Sequence, residues 1–102
     1  MHNYGKYGPF KQPPAMGREL AKRVVLLRKQ KGYSQAELAR RSGVSLSSLR
    51  RFEQTGKISL DNLLHISQLL GRMIDFDDLL APINDIEEFR DRLFYRTIDY
   101  YD

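Results

Sequence analysis

The 102-residue sequence predicts an all-α bundle of about five helices, and three observations carry that expectation. Apolar residues recur at helical spacing in a succession of short segments. Serines suited to capping a helix N-terminus stand ahead of three of them, at Ser34, Ser45 and Ser59. Glycine or proline closes the segments, at Gly32, Gly43, Gly71 and Pro82. A chain of this size holds a single core. The expected layout is a flexible N-terminal arm over 1–16, a helical domain over 17–81 and a C-terminal helical and aromatic extension over 82–102.

The arm mixes Gly5, Gly8, Pro9, Pro13 and Pro14 with Tyr4, Tyr7 and Phe10, with no helical or strand periodicity. From Met16 to Lys31, Leu20, Val24 and Leu27 recur at i, i+4 and i+7, and Lys22, Arg23, Arg28 and Lys29 are assigned to the remaining surface. Ser34 and Glu37 make a capping box, with the carboxylate expected to reach back to the Ser34 amide. A short helix is expected from Gln35 to about Ser42, burying Leu38 and Ala39 and broken at Gly43, with Val44 as an apolar plug. Ser45 caps a third helix, Leu46 to Gln54, with Leu49 and Phe52 inward and Ser47, Arg50, Arg51 and Gln54 outward. Ser59 caps a fourth, with Leu60, Leu63, Leu64, Ser67 and Leu70 on one face. Further turns over Asp75 to Leu80, capped by Asp75, and a helix from Asn84 carrying Ile86, Phe89 and Leu93 complete the reading.

Composition removes several classes of function. The absence of cysteine excludes disulfides, thiolate metal sites and thiol nucleophiles. The longest uncharged apolar run, Val24 to Leu27, is far short of a bilayer span, and the N-terminus lacks a signal-like apolar segment, so no membrane contact and a cytoplasmic location are expected. No nucleophile–base pair, paired-carboxylate site or metal-ligand spacing points to an enzyme, a metal or a cofactor. Charge is segregated along the chain: residues 1–16 carry +2, residues 17–57 carry +8 and residues 58–102 carry −6. The middle segment is thus suited to a polyanion.

Two short capped helices around Gly43, with a long helix before and an apolar helix after, describe a helix-turn-helix. A helix enters the major groove only if its outer face is free of bulky apolar groups and able to hydrogen-bond. Arg50 and Arg51 can pair with guanine, Gln54 with adenine and Ser47 with several bases. Gln35 and the amides opening the second helix suit a backbone phosphate, and the other cations, Lys57 included, supply attraction independent of sequence. Double-stranded DNA is the expected partner. Such a short reading helix covers few base pairs, so a homodimer is expected.

The run GYSQAELARRSGVSLSSLRRFEQTGKISLDNLLHISQLLG, Gly32 to Gly71, resembles the lambda-repressor-like, XRE-type helix-turn-helix family, matching it at Ser34, Gln35, Leu38, Ala39, Gly43, Val44, Ser45, Leu49 and Glu53. The resemblance implies that Gln35 contacts phosphate and nearby base edges, and that Ser45, Leu46, Ser47, Arg50 and Arg51 approach bases. Leu46 departs from a hydrogen-bonding residue there, and either touches a thymine methyl or faces the turn. Within the family, LRRFEQTGKISLDNLLHISQLLG followed by FDDLL looks most like HipB-type antitoxins, which implies a dimeric repressor of its own operon with a HipA-type kinase toxin as partner. The alternatives are a stand-alone or phage-type regulator without a toxin and, from another class, a protein-interaction module.

Other residues carry blander expectations. Of Arg40 and Arg41, one is expected on phosphate and its neighbour at the helix C-terminus. Glu53 is expected inside the fold as an ion-pair or hydrogen-bond partner, because an acid beside phosphate is repelled. His65 belongs on a surface or groove of the fourth helix. Asp75, Asp77 and Asp78 read as caps and acidic surface, because a calcium loop there would place Leu79 and Ile86 at ligand positions. The arm is either a loose tail or is brought to DNA by Lys6 and Lys11. The terminal Phe94, Tyr95, Ile98, Tyr100 and Tyr101 either pack locally or, as favoured here, form a dimer or partner interface.

Overall fold

Four α-helices and a short 3-10 turn follow one another in the computed structural model, which describes residues 11–83. The helices are α1 (Pro13–Gln30), α2 (Gln35–Ser42), α3 (Leu46–Thr55) and α4 (Leu60–Leu69), and the 3-10 turn is Met73–Phe76. Expectations for Tyr4, Lys6, Tyr7 and Phe10, and for everything from Asn84 to Asp102, lie outside the described residues. Residues Pro13–Asp77 make one compact unit.

Helix α1 opens on Pro13 and Pro14, three residues earlier than the sequence reading placed it. Proline in a first helical turn gives up only an N–H that has no partner there, and its fixed φ suits a helix. The pair that reads as an arm is therefore a helix start. Arg28 and Lys29 in the last turn complement the helix dipole. In α2, α3 and α4 the Ser34, Ser45 and Ser59 hydroxyls accept from the amides of Glu37, Ser48 and Asn62 at 3.0–3.1 Å, each satisfying an otherwise orphaned donor. Between α2 and α3, Gly43 takes φ 79° and returns its N–H to the Ala39 carbonyl. That left-handed geometry is costly for a residue with a Cβ and makes the turn compact.

Helix α1 packs on α3, while α2 packs on both α3 and α4. The shared core is Ala21, Val24, Leu38, Ala39, Val44, Leu49, Phe52, Ile66 and Leu70. Phe52, Leu38, Leu49 and Ile66 are its largest fully buried side chains, each stabilising the fold by about 1.5–3 kcal/mol through water exclusion. The inner face of α4 is centred on Ile66, which the sequence reading omitted. Leu60, assigned to that face, is 63% exposed. It is the first residue of α4, just after the Ser59 cap, and lies outside the core cluster.

At the far end of α3 two backbones meet. Gly56 takes φ 79°, and a Cβ there would stand 2.5 Å from the Arg18 amide nitrogen and 2.6 Å from the Gly17 carbonyl carbon. A Cβ on Gly17 would in turn lie 2.5 Å from the Gly56 carbonyl oxygen. The start of α1 thus rests directly on the C-cap of α3, an approach open only to paired glycines.

The turns expected over Asp75 to Leu80 begin earlier, as the 3-10 turn Met73–Phe76, and no side chain caps it. Asp75 is not a cap: its carboxylate takes the Arg72 guanidinium, with Nη2–Oδ2 at 2.9 Å. Residues Asp78–Ile83 belong to a second unit, in which Leu80 adopts φ 61° and the Ala81 amide donates to the Asp78 carbonyl at 3.1 Å.

Candidate nucleic-acid interface

The two faces of α3 divide by the helical repeat. Leu49 and Phe52 are fully buried, which turns Ser47, Arg50, Arg51 and Gln54 to solvent, all four exposed. The face is short, polar and cationic, with donors from the guanidinium groups and both donor and acceptor from the Gln54 amide. Leu46 is not on it. Its side chain is half-buried and packs against the core cluster, the inward of its two expected places. The Ser45 hydroxyl is also committed: it accepts from the Ser48 amide at 3.1 Å and donates to the Ser48 hydroxyl at 2.8 Å.

Behind this face sits a buried ion pair. Arg28 donates through Nε to Glu53 Oε2 at 2.8 Å and through Nη2 to Glu53 Oε1 at 3.0 Å, a bidentate geometry. Its Nη1 donates to the Tyr33 carbonyl at 3.0 Å. The side chains are only 11% and 7% exposed. Arg28, expected on the outer surface, is instead buried against Glu53, whose inward position is the expected one. The periodicity contained the signal: Arg28 follows Ala21 and Val24 at i+7 and i+4 and continues their buried stripe. An inward acid in the third helix requires such a cation.

Gln35, the first residue of α2, extends this pair towards the surface. Its Nε2 donates to Glu53 Oε1 at 2.8 Å, and its Oε1 accepts from Arg50 Nε at 3.4 Å. A continuous polar chain therefore runs from buried Arg28 through Glu53 and Gln35 to Arg50. The Arg51 side chain, by contrast, makes no hydrogen bond or ion pair among the described residues. Gln54 is equally uncommitted, and Lys57 is exposed beyond the α3 C-cap, its amide donating to Thr55 Oγ1 at 3.2 Å.

Arg40 and Arg41 converge on one acid. Arg40 Nη2 approaches Glu37 Oε2 at 2.6 Å, Arg41 Nε donates to the same oxygen, and the Arg41 guanidinium lies 5.0 Å above the centroid of Tyr33. The Glu37 carboxylate is thereby occupied by arginines instead of reaching back to Ser34 as the capping box predicts. Hydrogen bonds first from Arg41 and then from Arg40 hold it below the ordinary 4.5. A lowered folded-state value contributes stability that is present above the ordinary value and lost as pH falls through the lowered one. Glu37→Gln is therefore expected to flatten the acid limb below about pH 4.5, in denaturant midpoints collected from neutral to acid pH. The effect is small because the group is exposed. A wild-type-to-variant difference that stays constant across the range would contradict it.

His65 is exposed on α4 near Asp61 at 3.6 Å. Among the described residues no three His, Asp or Glu side chains are placed to hold a metal, and no helix is long and apolar enough to cross a membrane. A family model described as helix-turn-helix matches residues 26–77, from the second half of α1 through the 3-10 turn. No curated protein matches the chain.

Proposed function

Since the chain belongs to the lambda-repressor-like, XRE-type helix-turn-helix family and is a DNA-binding regulator, we propose that it is a sequence-specific repressor that places α3 in the major groove of each half of its own operator. The observation that carries this reading is the outer face of α3, where Ser47, Arg50, Arg51 and Gln54 are all exposed on a helix whose opposite face is fully buried. Gln35, Arg40, Ser47, Arg50, Arg51, Gln54 and Lys57 are the DNA-contacting residues of this proposal, with Ser45 retained as the cap that orients the helix and Leu46 as packing. The chain acts as a homodimer, its two reading helices about 34–36 Å apart. It works in the cytoplasm, without catalysis or a cofactor.

The finer part of the proposal is a HipB-like antitoxin that autoregulates its operon and binds a HipA-type kinase toxin. The likeness of Leu49 to Gly71, with the following Phe76–Leu80, to HipB-type antitoxins supports it, as does the acidic segment after residue 57, which suits a basic partner surface. Two measurements test the two levels. In gel shifts the full chain is expected to retain its own promoter fragment, with affinity falling steeply between about 50 and 200 mM salt. No retention at low salt would sink the DNA reading. Copurification of the untagged neighbouring gene product supports the antitoxin role, and an operon without a kinase-like product makes the chain a stand-alone regulator.

A further inference from the structure

Arg50 and Arg51 are neighbours in sequence, both exposed, and differ in what holds them. Glu53 is an acceptor whose two oxygens already face Arg28, so the end of the Gln35 amide that meets it must be the Nε2 donor. The Gln35 carbonyl oxygen is thereby turned outward, where it receives Arg50 Nε. This draws the Arg50 head back towards α2, the helix that crosses the DNA backbone when a helix-turn-helix docks. Engagement of Nε also removes one of the guanidinium edges able to pair bidentately with guanine. Arg51, turned about 100° further round α3, has no such tether among the described residues.

Resting on the DNA-binding reading above, we propose that the two arginines divide the work: Arg51 reads a base edge, while Arg50, steered by the Gln35 carboxamide, grips a backbone phosphate and sets register without reading sequence. Gln35 is then a positioning residue for Arg50, and the buried Arg28–Glu53 pair decides which way its amide faces. Phosphate contacts locate a protein on the duplex, and base contacts select the sequence.

The full chain is used to enrich binding sequences from a pool of randomised DNA duplexes, and variants are measured against the enriched duplex and the unselected pool over a range of salt. Arg51→Ala and Arg51→Lys are expected to lose about 5- to 150-fold on the enriched duplex and little on the pool, and renewed selection loses one base preference per half-site. Lysine keeps the charge without the planar fork, so its failure at 51 marks base reading. Arg50→Ala weakens both duplexes by the same factor and lowers the log–log salt slope by about 1, whereas Arg50→Lys stays close to wild type on both. Gln35→Ala weakens both duplexes as Arg50→Ala does, and the double variant loses less than the product of the two single losses. Thermal midpoints hold steady for the Arg50 and Arg51 variants, whereas Gln35→Ala, which also removes a donor to the buried Glu53 carboxylate, melts lower but is folded at the temperature of the binding measurements. Relaxed selection by Arg50→Lys, or multiplying losses for Gln35→Ala and Arg50→Ala, overturns the assignment alone. A wild-type chain that retains neither duplex at low salt overturns the DNA reading and the assignment with it.

Discussion

Exchanging Arg28 for methionine is expected to lower the unfolding free energy by about 3–5 kcal/mol, read from urea or guanidinium titration. Methionine keeps most of the aliphatic stem, so little packing is lost. What is lost is the counter-charge of a Glu53 carboxylate that is itself only 7% exposed, along with the donor to the Tyr33 carbonyl. The remaining acid would be buried with only the Gln35 amide to satisfy it, and an unpaired interior charge costs far more than the pair contributes. The double variant Arg28→Met/Glu53→Leu is expected to regain most of that loss, because two apolar side chains fill the same space without an uncompensated charge. A single variant within about 1 kcal/mol of wild type, the range of surface pairs, would show that the pair is hydrated.

Phe52→Ala is expected to cost about 3–5 kcal/mol, close to the whole stability of a unit of about 65 residues, for which ~3–10 kcal/mol is ordinary. Phe52 is the largest of the fully buried side chains and stands between Arg51 and Glu53. Its removal hollows the contact that holds α3 in place. Phe52→Leu, which keeps most of the volume, is expected to cost less than about 1.5 kcal/mol. Circular dichroism during thermal unfolding separates the outcomes: the alanine variant melts far below wild type or is unfolded at room temperature, and the leucine variant melts close to it. Equal melting of alanine and wild type would deny Phe52 this bracing role.

Local chemistry made much of the domain readable in advance. Ser34, Ser45 and Ser59 do cap their helices, Gly43 does turn the chain, and Leu38, Leu49 and Phe52 are buried, because capping, positive φ and helical spacing are decided within a few residues. The differences lie where a residue's fate depends on which of several partners, near or distant, engages it. Arg28 reads as surface when charge is weighed before position, and its place inside follows from Glu53, 25 residues away. Glu37 has a good local partner in the Ser34 amide but is engaged by two arginines one turn further on. Asp75 looks like a cap until Arg72 occupies it. On the outer face of α3, the residue types were legible from spacing alone. That Arg50 is tethered and Arg51 is not depends on Gln35, which only the folded packing of α2 against α3 brings alongside.

The contact of Gly17 with Gly56 bears on any attempt to retarget the molecule by grafting. A foreign recognition segment transplanted between Ser45 and Lys57 would have to end in glycine, since even one methyl at position 56 would collide with main-chain atoms of Arg18 and Gly17 that have no rotamer to yield. The outward positions 47, 50, 51 and 54 are under no such constraint. On the proposed DNA reading, new sequence preferences are thus open to exchange at positions 47, 51 and 54, while the seam between the first and third helices stays as it is.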